Sequence, residues 1–420
     1  MKMIYNILFF FFALLYVPSF FMKGKHKGGV GSRFGFVPEE ARRRLAGRQV
    51  IWVHGVSVGE VVQAVRLAGS LKRRFPRSAF LVTTTTAAGR EVAERLLDPE
   101  DTLLYFPVDF GPCVRRFIGA VRPGLVVLLE TEIWPNLIFE LSRRRIPCFI
   151  VNGRISDRAF RRYRSVSRFL GRVLNALAAV SVQDAAMGER FRRLGASPER
   201  IRVTGNMKYD WQPPDGGEPL VERLERGWAA GGFFVIAGST HAGEEEMLFN
   251  LAVRLRGRRP ALRLLIAPRH LDRIAAIESE AARRGVRLER ASCLTDGHPE
   301  AVVLDRMGLL ARLYRSADAV FIGGSLVPAG GHNPVEAAIY ERPILFGPHM
   351  HNFKEMAEDF KKMKAAIEVK NVKELETRLE ELMSDPEKRR RMGRAARELV
   401  ALHQGATERN AEVLAAAMAG

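Results

Sequence analysis

Chemically capable residues recur in one kind of place in this chain, immediately after short apolar runs that read as β-strands. The run QVIWVHG (49–55) leads into His54-Gly55-Val56-Ser57-Val58-Gly59-Glu60. Two glycines allow a tight strand-to-helix turn. Glu60 then falls in the first helical turn, where the helix dipole favours a carboxylate and leaves it a modest base unless burial raises its pKa. It is either an N-terminal helix charge or a general base. LVVLLE (125–130) ends in Glu130-Thr131-Glu132-Ile133-Trp134-Pro135-Asn136. Two carboxylates at a sheet's carboxyl edge are costly to bury without a role, and the alternative is an ion pair with one of the many arginines. Proline at the first helical position starts the next helix. Val203-Thr204-Gly205-Asn206-Met207-Lys208-Tyr209-Asp210 closes the first half. Its lysine is either a solvated surface group or a cation for a phosphate or carboxylate.

The second half repeats the arrangement. Gly238-Ser239-Thr240-His241-Ala242-Gly243-Glu244 follows a strand and opens a helix, which makes an anion-accepting turn. Pro268-Arg269-His270 follows the next strand, with the arginine placed for an anion. Gly323-Gly324-Ser325 and then Gly330-Gly331-His332-Asn333-Pro334-Val335-Glu336 combine four glycines with an Asn-Pro helix start. This pattern predicts bare backbone N–H groups for a phosphate and places Glu336 to accept from ribose hydroxyls. No GxxxxGK[ST] loop, HExxH or Asp-x-Asp pair occurs, which disfavours kinase-like, zinc-protease and metal-clamped nucleotide-sugar chemistry. His349-Met350-His351 lacks a third ligand, so the expectation is no metal and no cofactor.

These motifs need strands to deliver them. The first half reads as strands at 49–55, 78–85, 102–108, 125–130, 147–153 and 179–183 separated by helices, one of them long, Arg-rich and running to about Leu177. The pattern restarts at 233–239, 262–268, 302–305, 318–325 and 343–348, with helices beginning near Gly243, Leu271 and Asn333. The strands are continuously apolar, as in parallel sheets covered on both faces. The expected fold is therefore α/β, two doubly wound Rossmann-like domains facing a cleft, with ligands outside the carboxyl ends of the strands. The chain, 420 residues long and 47% hydrophobic, suits two domains. The expected boundaries are 23–210 and 218–371, joined by a linker at 211–217, with C-terminal helices over 372–420. Three dispersed cysteines, Cys113, Cys148 and Cys293, argue against a disulfide scaffold or a zinc site.

Charge is unevenly shared. Residues 1–210 hold 35 Lys and Arg against 17 Asp and Glu, a net of +18, whereas residues 211–420 hold 31 against 30, a net of +1. A basic half beside a neutral one suggests that one domain meets a polyanion or an anionic membrane. No nucleic-acid-binding signature accompanies it. Residues 4–22 are apolar except for Asn6 and Ser19, and Lys23, Lys25, Lys27 and Arg33 follow them. An anchor over 1–22 is expected, either spanning the membrane or lying in its plane around Pro18, with the body on the cytoplasmic side.

Taken in order, WVHGVSVGE, LLETEIWPN, NGRISDRAFRRY, VTGNMKYD, AGSTHAGEE, APRH and GGSLVPAGGHNPVEAA resemble the Kdo transferases of lipopolysaccharide assembly. Those enzymes move 3-deoxy-D-manno-octulosonic acid (Kdo) from CMP-Kdo to a lipid A precursor. The resemblance spans about residues 1–360 and includes the anchor. It implies a GT-B fold, an acceptor-binding N-terminal domain, a CMP-Kdo-binding C-terminal domain and residence at the inner membrane. It places the family's base on Glu60 and its transition-state-stabilising positions on Glu130 and Lys208. It places the CMP contacts on Pro268, Arg269, Met307, Gly308, Leu309, Asn333, Pro334, Val335 and Glu336. The alternatives are another GT-B nucleotide-sugar transferase or an epimerase, or a non-catalytic membrane-tethered polyanion binder.

Overall fold

The computed structural model describes Tyr5 and residues 29–213, 216–228, 232–294 and 300–419. The expected anchor over 1–22 lies outside the described residues except for Tyr5, and among the described residues no helix is long and apolar enough to cross a membrane.

The chain forms two compact units, one comprising residues 1–210 and 404–420, the other residues 211–403. In the first, seven parallel strands β1 (Val50–His54), β2 (Ala79–Thr84), β3 (Thr102–Tyr105), β4 (Pro123–Leu129), β5 (Cys148–Gly153), β6 (Ala179–Val182) and β7 (Ile201–Val203) lie in the order β3-β2-β1-β4-β5-β6-β7. Every residue of β1, β2 and β5 is buried, which is why their sequences are apolar without alternation. One face packs Trp52, Phe117, Leu128, Leu137 and Ile150. The other packs Ile51, Val53, Leu67 and Phe149 against Ala411 and Leu414 of the helix Ala406–Ala419. That helix answers to the first unit, so the C-terminal block read from sequence as one set of helices is divided: 372–403 belongs with the second unit and 404–420 with the first. The physical reason is a cap and a seam. Asp210 accepts from Gly405 N (2.6 Å) and Thr407 N (2.5 Å), and Glu408 pairs with Arg73 and Arg74. The Arg-rich helix predicted to run to Leu177 is two, Asp157–Arg164 and Ser167–Leu174, separated at Ser165-Val166.

The second unit carries another seven-stranded parallel sheet, β8 (Phe233–Thr240), β9 (Leu262–Pro268), β10 (Leu288–Arg290), β11 (Ala301–Val303), β12 (Ala319–Ile322), β13 (Ile344–Phe346) and β14 (Ala366–Glu368), in the order β10-β11-β9-β8-β12-β13-β14. Phe249, Leu255, Ile266, Phe321, Leu345 and Leu379 form its core. The edge strands β7, β10 and β14 are three residues each, too short to register as apolar runs. In the first sheet the strand order reverses between β1 and β4; in the second, β8 is flanked by β9 on one side and β12 on the other, and β11 is inserted between β9 and β10. Such switch points open a crevice at the carboxyl ends of the strands, where doubly wound sheets take their ligands.

Candidate active site

The β1/β4 switch point holds the carboxylates. Ser57 caps the helix Val58–Arg74 by accepting from Glu60 N (3.3 Å), and its hydroxyl donates to Glu60 Oε1 (2.9 Å). The amide of Val56 donates to Glu60 Oε2 (2.8 Å). This is a capping box in which the glutamate is held by both oxygens, each retaining a lone pair. Gly55 is required there, because a Cβ would approach the backbone carbon of Glu60 to 2.9 Å. Burial first, and then the charge of Glu130, push the Glu60 carboxyl above its ordinary value. His54, by contrast, is a core residue: burial lowers it to about 3, its Nδ1 meets Thr83, and it stacks on Phe106.

Glu130 follows β4 in a left-handed conformation (φ 54°) that turns the chain at the sheet edge. Its carboxylate lies 3.4 Å from Lys208 Nζ and 3.9 Å from Arg154, and the side chains of Lys208 and Glu130 are only 17% and 14% exposed. The lysine read from sequence as either surface or site is thus drawn into the carboxylate group. Its position depends on Asn152, buried at the end of β5 with φ 57°. Asn152 Oδ1 accepts from Met207 N (3.0 Å), and its amide donates to Gln63 Oε1 (2.7 Å). The Asn-Gly dipeptide at 152–153 marks a turn in the sequence but does not reveal this tie to the Lys208 segment.

Glu132 is the residue that sequence reasoning quoted but did not place in the site. Burial, and after it the charge of Glu60, push it up to about 7. Three glutamates, one of them paired with Lys208 and Arg154, therefore share a poorly solvated edge, where the charge of Glu130 raises Glu60 and the charges of Glu60 and Glu130 raise Glu132. The charge of Glu60 is among those that raise Glu132, so Glu60→Gln should lower the pH at which the Glu132 carboxyl titrates, followed by carbon-13 NMR of that carboxyl; a Glu132 titration that stays in place would separate the two groups.

In the second unit the loops after β8, β9 and β12 converge. Arg269 N donates to Thr240 O (3.0 Å). His241 Nε2 lies 3.0 Å from His332 Nε2 with the rings stacked, and His270 meets His241 edge-on at 5.9 Å. Asn333 Oδ1 accepts from Val335 N (3.1 Å), opening the single turn Val335–Ala338 that bears Glu336; the helix expected from Asn333 is no longer than this. Met307, Gly308 and Leu309 follow β11, where Met307 is exposed, Leu309 is buried and Gly308 adopts φ 86°.

One expectation holds differently here. The N–H groups of Gly323, Gly324, Ser325 and Gly331 are not bare: Gly323 N donates to Gly238 O (2.8 Å). Glu244 Oε2 accepts from Gly324 (2.6 Å) and His241 (3.0 Å), and Glu244 Oε1 accepts from Ser325 (3.1 Å) and Leu326 (3.0 Å). Gly331 N donates to Gly324 O (2.8 Å). The protein's own carboxylate fills the nest made by the amides of His241, Gly324, Ser325 and Leu326. The glycines serve conformation instead: Gly324 has φ 67° and a Cβ on it would reach the His241 ring, while Gly331 has φ 70°.

Two parallel sheets of Rossmann type, each gathering titratable side chains at a switch point, define a GT-B-like glycosyltransferase fold. A glycosyltransferase from Rickettsia africae superposes with a TM-score of 0.59 at 11% identity, over 89% of this chain and 99% of that one. An Anabaena protein solved with UDP does so with a TM-score of 0.57 at 15% identity, over 89% and 100%. Residues 28–211 match the family model described as 3-deoxy-D-manno-octulosonic-acid transferase, and residues 302–399 match that of glycosyl transferases group 1. The 3-deoxy-D-manno-octulosonic acid transferase of Haemophilus influenzae is 33% identical over 369 residues, covering 87% of this chain and 86% of that one. Its counterpart in Bordetella pertussis is 32% identical over 397 residues, covering 91% and 90%. The chain belongs to the 3-deoxy-D-manno-octulosonic acid transferase family of glycosyltransferase enzymes.

Proposed function

We propose that the protein transfers Kdo from CMP-Kdo to a lipid A precursor, with inversion, at the cytoplasmic face of the inner membrane. The observation that carries the reading is the doubly held Glu60 at the β1/β4 switch point, its basicity raised by burial and by Glu130. Glu60 takes the proton from a primary hydroxyl of the acceptor as that oxygen bonds to the anomeric carbon of the donor. The bond to the phosphate oxygen breaks on the opposite face, through an oxocarbenium-like state, and CMP departs with the bonding pair. Glu130, flanked by Lys208 and Arg154, places a negative charge that favours both the proton transfer and the positive character of the sugar. No metal is called for: Arg269 supplies a fixed cation for the leaving phosphate.

The first half's net charge of +18 supports a polyanionic acceptor at an anionic membrane surface, to which basic segments are drawn. The second unit is the donor's, with Pro268-Arg269, Met307-Gly308-Leu309 and Asn333-Pro334-Val335-Glu336 as the cytidylate contacts. Incubating the full-length chain with CMP-Kdo and the tetraacylated lipid A precursor, and weighing the products by mass spectrometry, tests the activity and counts the sugars added. Transfer from UDP-sugars in its place would overturn the reading. Arg269→Ala should weaken CMP-Kdo binding about 10- to 100-fold, the loss of one or two charge-assisted hydrogen bonds, and leave acceptor affinity unaltered; the reverse would exchange the substrates between the units.

A further inference from the structure

The loops after β8, β9 and β12 gather three histidines and an arginine, and the acids near them are already engaged. Glu245 is buried in a two-armed pair with Arg273 (2.7 and 3.1 Å) and accepts from Thr240 (2.9 Å). Glu244 is consumed by four backbone N–H groups. The other titratable groups against the cluster are Arg269 and His270 from the β9 loop, together with His351, which lies against Gly330 of the glycine-rich loop. Of these acids Glu245 bears on the histidines, raising His241, and its charge is already shared with Arg273.

Between His241 and His332 the two Nε2 atoms stand 3.0 Å apart, with the ring planes 15° from parallel. One ring must donate and the other accept, so the pair carries one shared proton when neutral; a second proton would place two donors face to face unless an acceptor arrives. Both rings sit on the loops that flank the β8/β12 switch point, where a doubly wound sheet takes its ligand. Burial, and after it Arg269, lower His332 to about 4, and burial, and after it His270, lower His241.

We propose that the His241–His332 pair is an anion receptor for the donor, separated by an arriving oxyanion and binding it with uptake of one proton, while Arg269 provides the permanent charge beside it. This deepens the reading of the second unit as the donor's and rests on it. A nucleotide-activated sugar acid offers two oxyanions, a phosphodiester and a carboxylate. The pair makes donor capture pH-dependent in a way a second arginine would not. The sign follows from linkage: the free pair is neutral and the bound pair protonated, so affinity rises as pH falls below the pKa of the liganded pair.

Calorimetric titration of the full-length protein, at several pH values and in buffers of different ionisation enthalpy, tests this. Two ligands are used, CMP-Kdo and the methyl ester of CMP, a phosphodiester with no carboxylate and no ionisation of its own near neutrality. The Kd for CMP-Kdo should increase up to tenfold per pH unit from about pH 5.5 to 7, with close to one proton taken up. His332→Asn and His241→Asn should each flatten that slope and weaken binding at least tenfold at pH 6, and His270→Asn should retain the slope. A slope with both ligands assigns the receptor to the phosphodiester, and a slope with CMP-Kdo alone assigns it to the carboxylate. CMP-Kdo binding with no slope and no proton uptake overturns the proposal while leaving the function standing; failure of CMP-Kdo to bind at all removes the function itself.

Discussion

Glu60→Gln should lower Kdo transfer by about 10²- to 10⁴-fold, the range of a lost general base, with CMP-Kdo affinity unchanged. The substitution is well suited to the question because the capping box survives it in part. A glutamine oxygen still accepts from Val56 N or Ser57 Oγ, the two groups that now hold the carboxylate, and the amide cannot take a proton. Direction of pH dependence gives an independent reading. Burial and Glu130 raise the Glu60 pKa, so the basic form is lost as pH falls through a value above the ordinary carboxylate range. The acid limb of kcat/KM in the native enzyme therefore stands at higher pH than a solvated glutamate would put it. The variant's residual activity should lack that limb. Turnover within a few-fold of the native rate would remove Glu60 as the base.

Why Glu60 was readable from the chain and Glu132 was not follows from what spacing encodes. A Ser-x-x-Glu box behind an apolar strand fixes a helix start, and a helix start fixes where its third residue points. The role of Glu132 comes from poor solvation and from its neighbours, which are set by the packing of the β1 and β4 loops. The same holds for Asn152, whose contacts reach Gln63 and Met207: no local pattern announces a side chain that joins segments 55 residues apart. At fold level the long buried strands were legible because each is a continuous apolar run, whereas β7, β10 and β14 owe their existence to a neighbouring strand already in place. Assignment of the helix Ala406–Ala419 to the first unit is likewise tertiary. It depends on Asp210 capping that helix across nearly half the chain.

The glycine-rich turn shows the cost of reading a motif without its partner, and it sets the other large expected effect. Glu244→Ala should lower the stability of the second unit by about 3–5 kcal/mol, since each buried donor left without an acceptor costs about 1–3 kcal/mol and incoming water recovers part of the total. The Glu244 carboxylate is buried and accepts from the amides of His241, Gly324, Ser325 and Leu326, which it holds in one small nest between the loops after β8 and β12. For a unit of this size the loss corresponds to a fall in melting temperature of about 10 °C, followed by calorimetry on the full chain. Glu244→Gln should fall between the two. Its amide keeps one acceptor oxygen for one pair of N–H groups and turns a nitrogen donor toward the other pair. Both variants should lose CMP-Kdo affinity out of proportion to their effect on acceptor binding, because the same turn carries His332, Asn333 and Glu336. If Glu244→Ala melted within a degree of the native protein and bound CMP-Kdo normally, the nest would be a passive turn, and its N–H groups would be open to a phosphate after all.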